Sequence, residues 1–322
     1  MEYGKSSDYE EIRREAGTFV AQMPDGSPIE LGPNNTYVGV KFANVDFSHL
    51  TLTSCTFTDC HFADCNFVRT DFSHSKIAGT TFTNCDLDDT AFLWVSLNEV
   101  AFVGCSMSQS RLNLGVLNTV RFDQCKLNYG KFDDTSMSGC HFDQCNLDDA
   151  KFTHAPMSDC RFLKCSMNEA WFGFSTIANT KFEKNFALEY HPVFVRLQVE
   201  DCILSLNDFF ESMIFESNFT STIIERSNFW KSKVYSSNFD SCEIRHTGFN
   251  ESDLRGVVIG TTAVAACRFR LATLNEAFIE DSTIHRCSFE GADLTESVSM
   301  DSQFTENHLG QGTSYETKFE ID

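Results

Sequence analysis

Fourteen cysteines and nine histidines are the side chains of this 322-residue chain best suited to nucleophilic, redox or metal chemistry. A Cys–His nucleophile needs thiol and imidazole within hydrogen-bond reach, and a zinc site needs its ligands to converge. The spacing opposes both. Every cysteine lies two residues before a central apolar residue, as Cys55 before Phe57, Cys140 before Phe142 and Cys287 before Phe289. The histidines (His49, His61, His74, His141, His154, His191, His246, His285 and His308) never take that position. Neither a phosphate-binding Gly-rich loop nor an HExxH or GxSxG motif occurs. The expectation is a protein that is not an enzyme, with no catalytic, cofactor or metal site.

What positions the thiols is a repeat of five. From Phe42 to Phe182 every fifth residue is Phe, Leu, Ile or Met, 29 positions in succession. Stepping by ten from Phe72 gives Phe each time except at Leu112, while the positions between, Ile77 to Ile177, hold no Phe. Neither a 3.6-residue helix nor a period-two strand keeps such a spacing on one face. Cys65, Cys85, Cys105, Cys125, Cys145 and Cys165 recur at steps of 20. Five residues per side then make a four-sided coil of 20, with one small and one bulky residue of each five pointing inward. Stacked thiols point the same way along such a column, which suits packing better than metal binding or disulfides. Fourteen unpaired thiols imply a reducing compartment, hence a cytoplasmic protein.

Segments such as CNFVR, CDLDD, CNLDD, ADLTE and SDLRG resemble the pentapeptide-repeat family, over roughly residues 37–320. The resemblance implies an all-β fold, a right-handed quadrilateral parallel β-helix. About 14 coils at ~4.8 Å per stacked strand would make a rod of roughly 65 Å. After Phe182 the centres resume two residues out of step, at Phe194, Val199, Leu204 and Phe209. The expected organisation is a cap over 1–36, a first stack over 37–182, a break or inserted loop over 183–193, and a second stack over 194–322. The cap is expected to hold a short helix from Ser7 or Asp8 to about Ala16, with Tyr9, Ile12 and Phe19 on its apolar side. A turn at Pro24–Ser27 between two short strands follows it. The pattern loosens near Ser299 and Phe304, where the stack should end.

Charge and composition narrow the function. A formal charge of −21 opposes direct nucleic-acid binding, which needs clustered Lys and Arg. No run of about 18 apolar residues occurs to span a membrane, and the charged start lacks the apolar stretch of a signal peptide. Acidity favours a protein partner with a basic surface. In its alternating Phe/Leu centres and CxF and CxL units the chain is similar to the Qnr and MfpA type of the family. That resemblance implies DNA mimicry, with DNA gyrase or topoisomerase IV as partner and protection from quinolones or peptide toxins as outcome. Members of that type are shorter, and they dimerise through an apolar C-terminal segment absent here.

A second reading comes from outward aromatics. Phe210 and Trp230 follow central Phe residues 20 apart, and Phe215 and Tyr235 follow the central Ile214 and Val234 on the next side, with Val195 one coil earlier. Four rings at one corner exceed what scattered surface apolars require. They form a surface for a protein partner or a homodimer, as in a scaffold or a secreted bacterial effector. Alternatively, the inserted segment, with Phe186, Leu188 and Tyr190, folds back over them, and the outward Trp171 and Phe174 fit that covering; Phe186, Glu189, Tyr190 and His191 are the candidate functional loop. Both readings stay open on the sequence. Glu189, Tyr190 and His191 alone are too few groups for an enzyme.

Overall fold

The computed structural model describes residues 14–15, 18–22, 28–187 and 191–315. The chain divides into two compact units, Met1–Ala155 and Pro156–Asp322. Each is a parallel β-helix with four walls, numbered here in chain order from Tyr37.

In the first unit 20 residues close each coil. Walls 1 and 2 are three-residue strands, such as Thr56–Thr58 and His61–Ala63, that pair in parallel with Lys76–Ala78 and Thr81–Thr83. Walls 3 and 4 are held by single bridges, such as Asp46↔Asn66 and Thr51↔Asp71. The strands stay short because each wall ends in a left-handed residue: Asn44, His49, Ser54 and Asp59 have φ of 57°, 61°, 58° and 52°. A residue with φ > 0 cannot continue an extended run. Within each strand only the middle residue is buried, which is why the apolar period is five rather than two.

The rule of Phe at every tenth position has a packing reason. Phe62, Phe82, Phe102, Phe122 and Phe142 stack on wall 2 with ring centroids 4.8–5.2 Å apart. Opposite them on wall 4, Phe132 stacks on Phe152 at 4.7 Å. The two stacks meet edge to face, Phe132 against Phe122 at 6.2 Å and Phe142 at 5.8 Å. Two opposed phenyl rings fill the width, so walls 1 and 3 carry slimmer Leu, Ile and Met in most coils. Edge-to-face rings are favourable as well as space-filling.

The small inward residue does more than fill space. Thr70 Oγ1 donates to the carbonyl of Phe47 at 2.7 Å, Thr90 to that of Phe67 at 2.9 Å, and Cys125 to that of Phe102 at 3.3 Å. Each satisfies a core carbonyl of the preceding coil. That explains why the position prefers Cys, Ser and Thr, small side chains with a donor.

The first coil is preceded by a three-stranded antiparallel sheet. β1 (Arg14–Glu15), β2 (Thr18–Gln22) and β3 (Pro28–Leu31) pair in that order, with Arg14 opposite Phe19 and Phe19 opposite Leu31. The two expected short strands flank the expected turn, whose residues 24–27 lie outside the described ones. The expected helix from Ser7 or Asp8 falls outside the described residues up to 13. Its continuation toward Ala16 is corrected: Arg14–Glu15 is a strand, because it finds a pairing edge on β2.

The second unit contains the register break. Ser166 still bridges Phe186 20 residues on, whereas Trp171 pairs with Val193, Thr176 with Gln198 and Lys181 with Ile203, all 22 residues on. The ladder therefore runs through the break, and one coil holds two extra residues between Ala187 and Val193. At this coil the phenyl stacks also change walls. Phe162 and Phe182 stack on wall 2 at 4.7 Å, and Phe172 and Phe194 on wall 4 at 5.2 Å. Beyond it, Phe209, Phe229, Phe249, Phe269 and Phe289 stack on wall 3 at 4.8–5.2 Å. Phe219 and Phe239 stack on wall 1 at 4.9 Å. Pairing continues past Ser299 and Phe304 to Ser314–Tyr315, which pairs with Asp293–Leu294.

Candidate protein-interaction surface

All 14 cysteines are buried. Burial pushes the Cys202 and Cys242 thiols up to about 11. Cys85 lies between Cys65 and Cys105, and Cys125 between Cys105 and Cys145; these neighbouring thiols, with burial, push both up. Protonated thiols of this kind are poor nucleophiles. Two internal voids in the second unit measure about 20 and about 10 Å³, room for one water at most. Among the described residues no three His, Cys, Asp or Glu side chains converge as a metal site. No helix among them is long and apolar enough to cross a membrane, which says nothing of β-barrels.

The outward aromatics lie in the second unit and form two pairs. Phe210 and Trp230 have centroids 5.3 Å apart at 59°. Phe215 and Tyr235 stack at 5.7 Å and 6°. No ring contact joins one pair to the other among the described residues, because 210 and 215 lie on walls separated by the left-handed corner at Glu211. Trp230 is 42% exposed, and Phe210, Phe215 and Tyr235 are half-buried. Val195, opposite Phe215 in the ladder, is buried.

Polar groups knit the first pair in place. His191 meets Phe210 edge to face at 5.3 Å, and its Nε2 lies 3.1 Å from Glu211 Oε2. Its Nδ1 is buried and has no hydrogen-bond partner among the described residues. Lys231 Nζ sits 5.1 Å from the Trp230 ring and 4.0 Å from Glu211. Beside the second pair, Tyr235, Arg255 and Glu276 line a shallow groove of about 300 Å³. Arg255 forks onto Asp253 with 2.8 and 2.6 Å contacts and holds its carboxyl below the usual range.

Of the loop residues singled out in the sequence, His191 thus joins the aromatic pair. Phe186 stays in the ladder opposite Ser166, 38% exposed. Glu189 and Tyr190, with Leu188, lie outside the described residues. Trp171 is half-buried, and Phe174, a left-handed corner residue 42% exposed, lies under Arg196 at 5.6 Å.

Sequence reasoning passed over an acidic edge on the same unit. The ladder runs Ser158–Ala178–Glu200–Thr220–Asp240–Gly260–Glu280–Met300. The adjoining corner column holds Asp159, Asn179, Asp201, Ser221, Ser241, Thr261, Asp281 and Asp301. Neither column contains Lys or Arg, and none of the seven acids forms an ion pair among the described residues. Reading the sequence at steps of 20, with one step of 22 at the break, would have exposed it.

The model of pentapeptide repeats matches residues 41–77 and 125–162, and that of a pentapeptide repeat region matches 78–139. No curated protein matches the chain. Among solved structures it is similar to HetL, a pentapeptide repeat protein involved in heterocyst differentiation regulation from the cyanobacterium Nostoc sp. strain PCC 7120. That likeness has 9% identity and a TM-score of 0.21, covering 89% of this chain and 92% of that one. It is also similar to full-length QnrB1, a plasmid-mediated fluoroquinolone resistance protein, at 17% identity and TM-score 0.33, covering 70% and 91%. A mannuronan C-5 epimerase A-module from Azotobacter vinelandii is similar at 8% identity and TM-score 0.29, covering 89% and 91%. At these scores the structural likenesses carry no weight for function.

Proposed function

Because this chain is a pentapeptide-repeat protein, with repeats matched over residues 41–162, we propose that it is a non-catalytic binding protein whose acidic wall docks a basic protein surface. The edge of Asp159, Glu200, Asp201, Asp240, Glu280, Asp281 and Asp301 carries this reading. Carboxylates recurring on alternate coils, with no cation in either column, present a negative edge, which steers a positively charged partner. In its sharpest form the protein mimics DNA toward a type II topoisomerase, DNA gyrase or topoisomerase IV. Protection of that topoisomerase from quinolones is the outcome such mimicry would have. Fourteen buried thiols fit action in a reducing compartment such as the cytoplasm.

The test is competition with DNA for purified gyrase at low salt, together with supercoiling in the presence of a quinolone. Displacement of DNA that weakens with salt supports the reading. A gyrase that ignores the protein at low salt removes it.

A second reading is favoured by the exposure of Trp230: a scaffold or effector that recruits a protein, or a second copy of itself, through Phe210, Phe215, Trp230 and Tyr235. Substituting the four with Ser separates the two. Loss of partner or dimer with topoisomerase binding intact favours the scaffold.

A further inference from the structure

Arginines in this protein often find an acid one coil away. Arg69 lies 3.5 Å from Asp89, Arg161 3.2 Å from Glu183 and Arg245 3.1 Å from Glu225. One column of the first unit departs from this pattern. On wall 4, Arg111 bridges Lys131 and Lys131 bridges Lys151, with Ala91 in the coil before. None of the three cations has an ion-pair or hydrogen-bond partner for its side chain among the described residues. Among the acids near them in sequence, Asp149 holds the corner before Lys151, and Asp133 is turned to other work, accepting from Asn113 Nδ2 at 3.1 Å and Thr153 N at 3.2 Å.

Like charges opposite each other in a ladder repel, so this stack costs the fold stability and gives it no contact in return. Where Arg161 pairs with Lys181 in the ladder, by contrast, Glu183 lies 3.2 Å from Arg161 and 3.6 Å from the nearby Lys184. Arg111 and Lys131 also line an open groove of about 940 Å³. Ala91, 5% exposed, lies in its floor, and Tyr129, 53% exposed, stands at its flank. Asp71 and the Arg69–Asp89 pair close its far end.

We propose that this groove binds an oligophosphate, a small molecule with two or more adjacent phosphate groups held by Arg111, Lys131 and Lys151. Stacked coils put the three backbones about 5 Å apart, and a single anionic group would leave part of the stack unanswered. The Arg111 guanidinium suits a two-point grip on phosphate oxygens, and the lysines add point charges. Asp71 and Asp89 at the far end repel a long polyanion, so the groove selects a short one. The site lies in the first unit and is independent of the acidic edge of the second.

Calorimetry with inorganic triphosphate at low salt, on the full chain, tests this. The wild type should bind, and Arg111→Gln and Lys131→Gln should each weaken binding about fivefold or more. Arg121→Gln, an exposed cation on wall 2, should leave it unchanged. Without ligand, neither groove variant should melt below the wild type, since each removes like-charge repulsion. A parallel titration with a nucleoside triphosphate identifies the source: tighter binding means that Tyr129 stacks on the base, and equal binding means that the phosphates alone are read. No binding of triphosphate at millimolar concentration overturns the proposal. So does undiminished binding in both groove variants, or binding of duplex DNA or an acidic peptide where triphosphate fails.

Discussion

Asn185 and Asn207 hydrogen-bond to each other across the two-residue insertion, Asn185 Nδ2 donating to Asn207 Oδ1 at 3.1 Å. Both are buried at positions where other coils place Cys, Ser or Thr. Each also satisfies a core carbonyl of the coil before it: Asn185 Nδ2 reaches Phe162 at 3.1 Å, and Asn207 Nδ2 reaches Phe182 at 2.8 Å. Asn207 Oδ1 further accepts the Asn185 backbone N–H at 3.1 Å. The longer amides bridge coils whose spacing in sequence has grown from 20 to 22.

The substitution Asn207→Leu should therefore strand two donors of Asn185 and the Phe182 carbonyl. A loss of about 2–3 kcal/mol is expected, read by denaturant unfolding. The double change to Ser at 185 and 207 should cost less, because Ser227 in the next coil already donates to the Leu204 carbonyl. An Asn207→Leu protein as stable as the wild type would refute the bridging role.

The opposed phenyl stacks predict a graded response at Phe132, which is fully buried. Phe132→Ala should cost about 3–5 kcal/mol by leaving a cavity between Phe122, Phe142 and Phe152. Phe132→Leu should cost under about 1.5 kcal/mol, since Leu112 already occupies the same column one coil earlier. Equal losses in the two variants would mean that ring geometry, not volume, holds the core.

Alkaline pH should destabilise the fold through its thiols. Cys202 and Cys242 titrate near 9 when unfolded and are raised to about 11 when folded. The unfolded state therefore loses its protons first, and stability falls as pH rises from about 9 to about 11. Two pKa units correspond to about 2–3 kcal/mol per thiol. Below pH 8 the 14 thiols should resist a disulfide reagent until denaturant is added. Rapid labelling in the native state would refute the inward assignment.

Thr261 holds a left-handed corner at φ 49°, a conformation that β-branched residues resist. Thr261→Asn should raise stability by about 0.5–1 kcal/mol, as asparagine tolerates that region and adds no unfolded-state freedom of the kind glycine would. A melting temperature unchanged or lowered would show that the corner is held without strain.

The walls and the core were legible because their signals repeat: Phe62, Phe82 and Phe102 obey the five-residue period, and the cysteines mark the second inward position. The corners were less so. Their backbone demands φ > 0, yet Trp94 and Phe174 sit there beside the expected Asn, Asp and Gly, since coil stacking overrides local preference. The break reads as eleven residues in sequence, but Lys181–Glu183 and Phe186 keep their ladder partners, so only two are extra. The aromatic surface resolves into two pairs rather than four rings because 210 and 215 fall on either side of a corner, which one-dimensional spacing does not reveal. The two extra residues also hid the acidic edge, whose members align only once the 22-residue step is taken.

The transfer of the phenyl rings from one pair of walls to the other limits how such a chain can grow or recombine. A 20-residue block copied from between Phe72 and Phe182, or from after Phe209, reproduces the cross-section of its neighbours and can be spliced in beside them. A block that spans both brings aromatic bulk to two adjoining walls, where Phe194 already meets Phe209 edge to face at 5.7 Å. Gene duplication can therefore extend either flank coil by coil, while a copy of the coil between them sets rings on adjoining walls, an arrangement the first coils accommodate edge to face at Phe57 and Phe62.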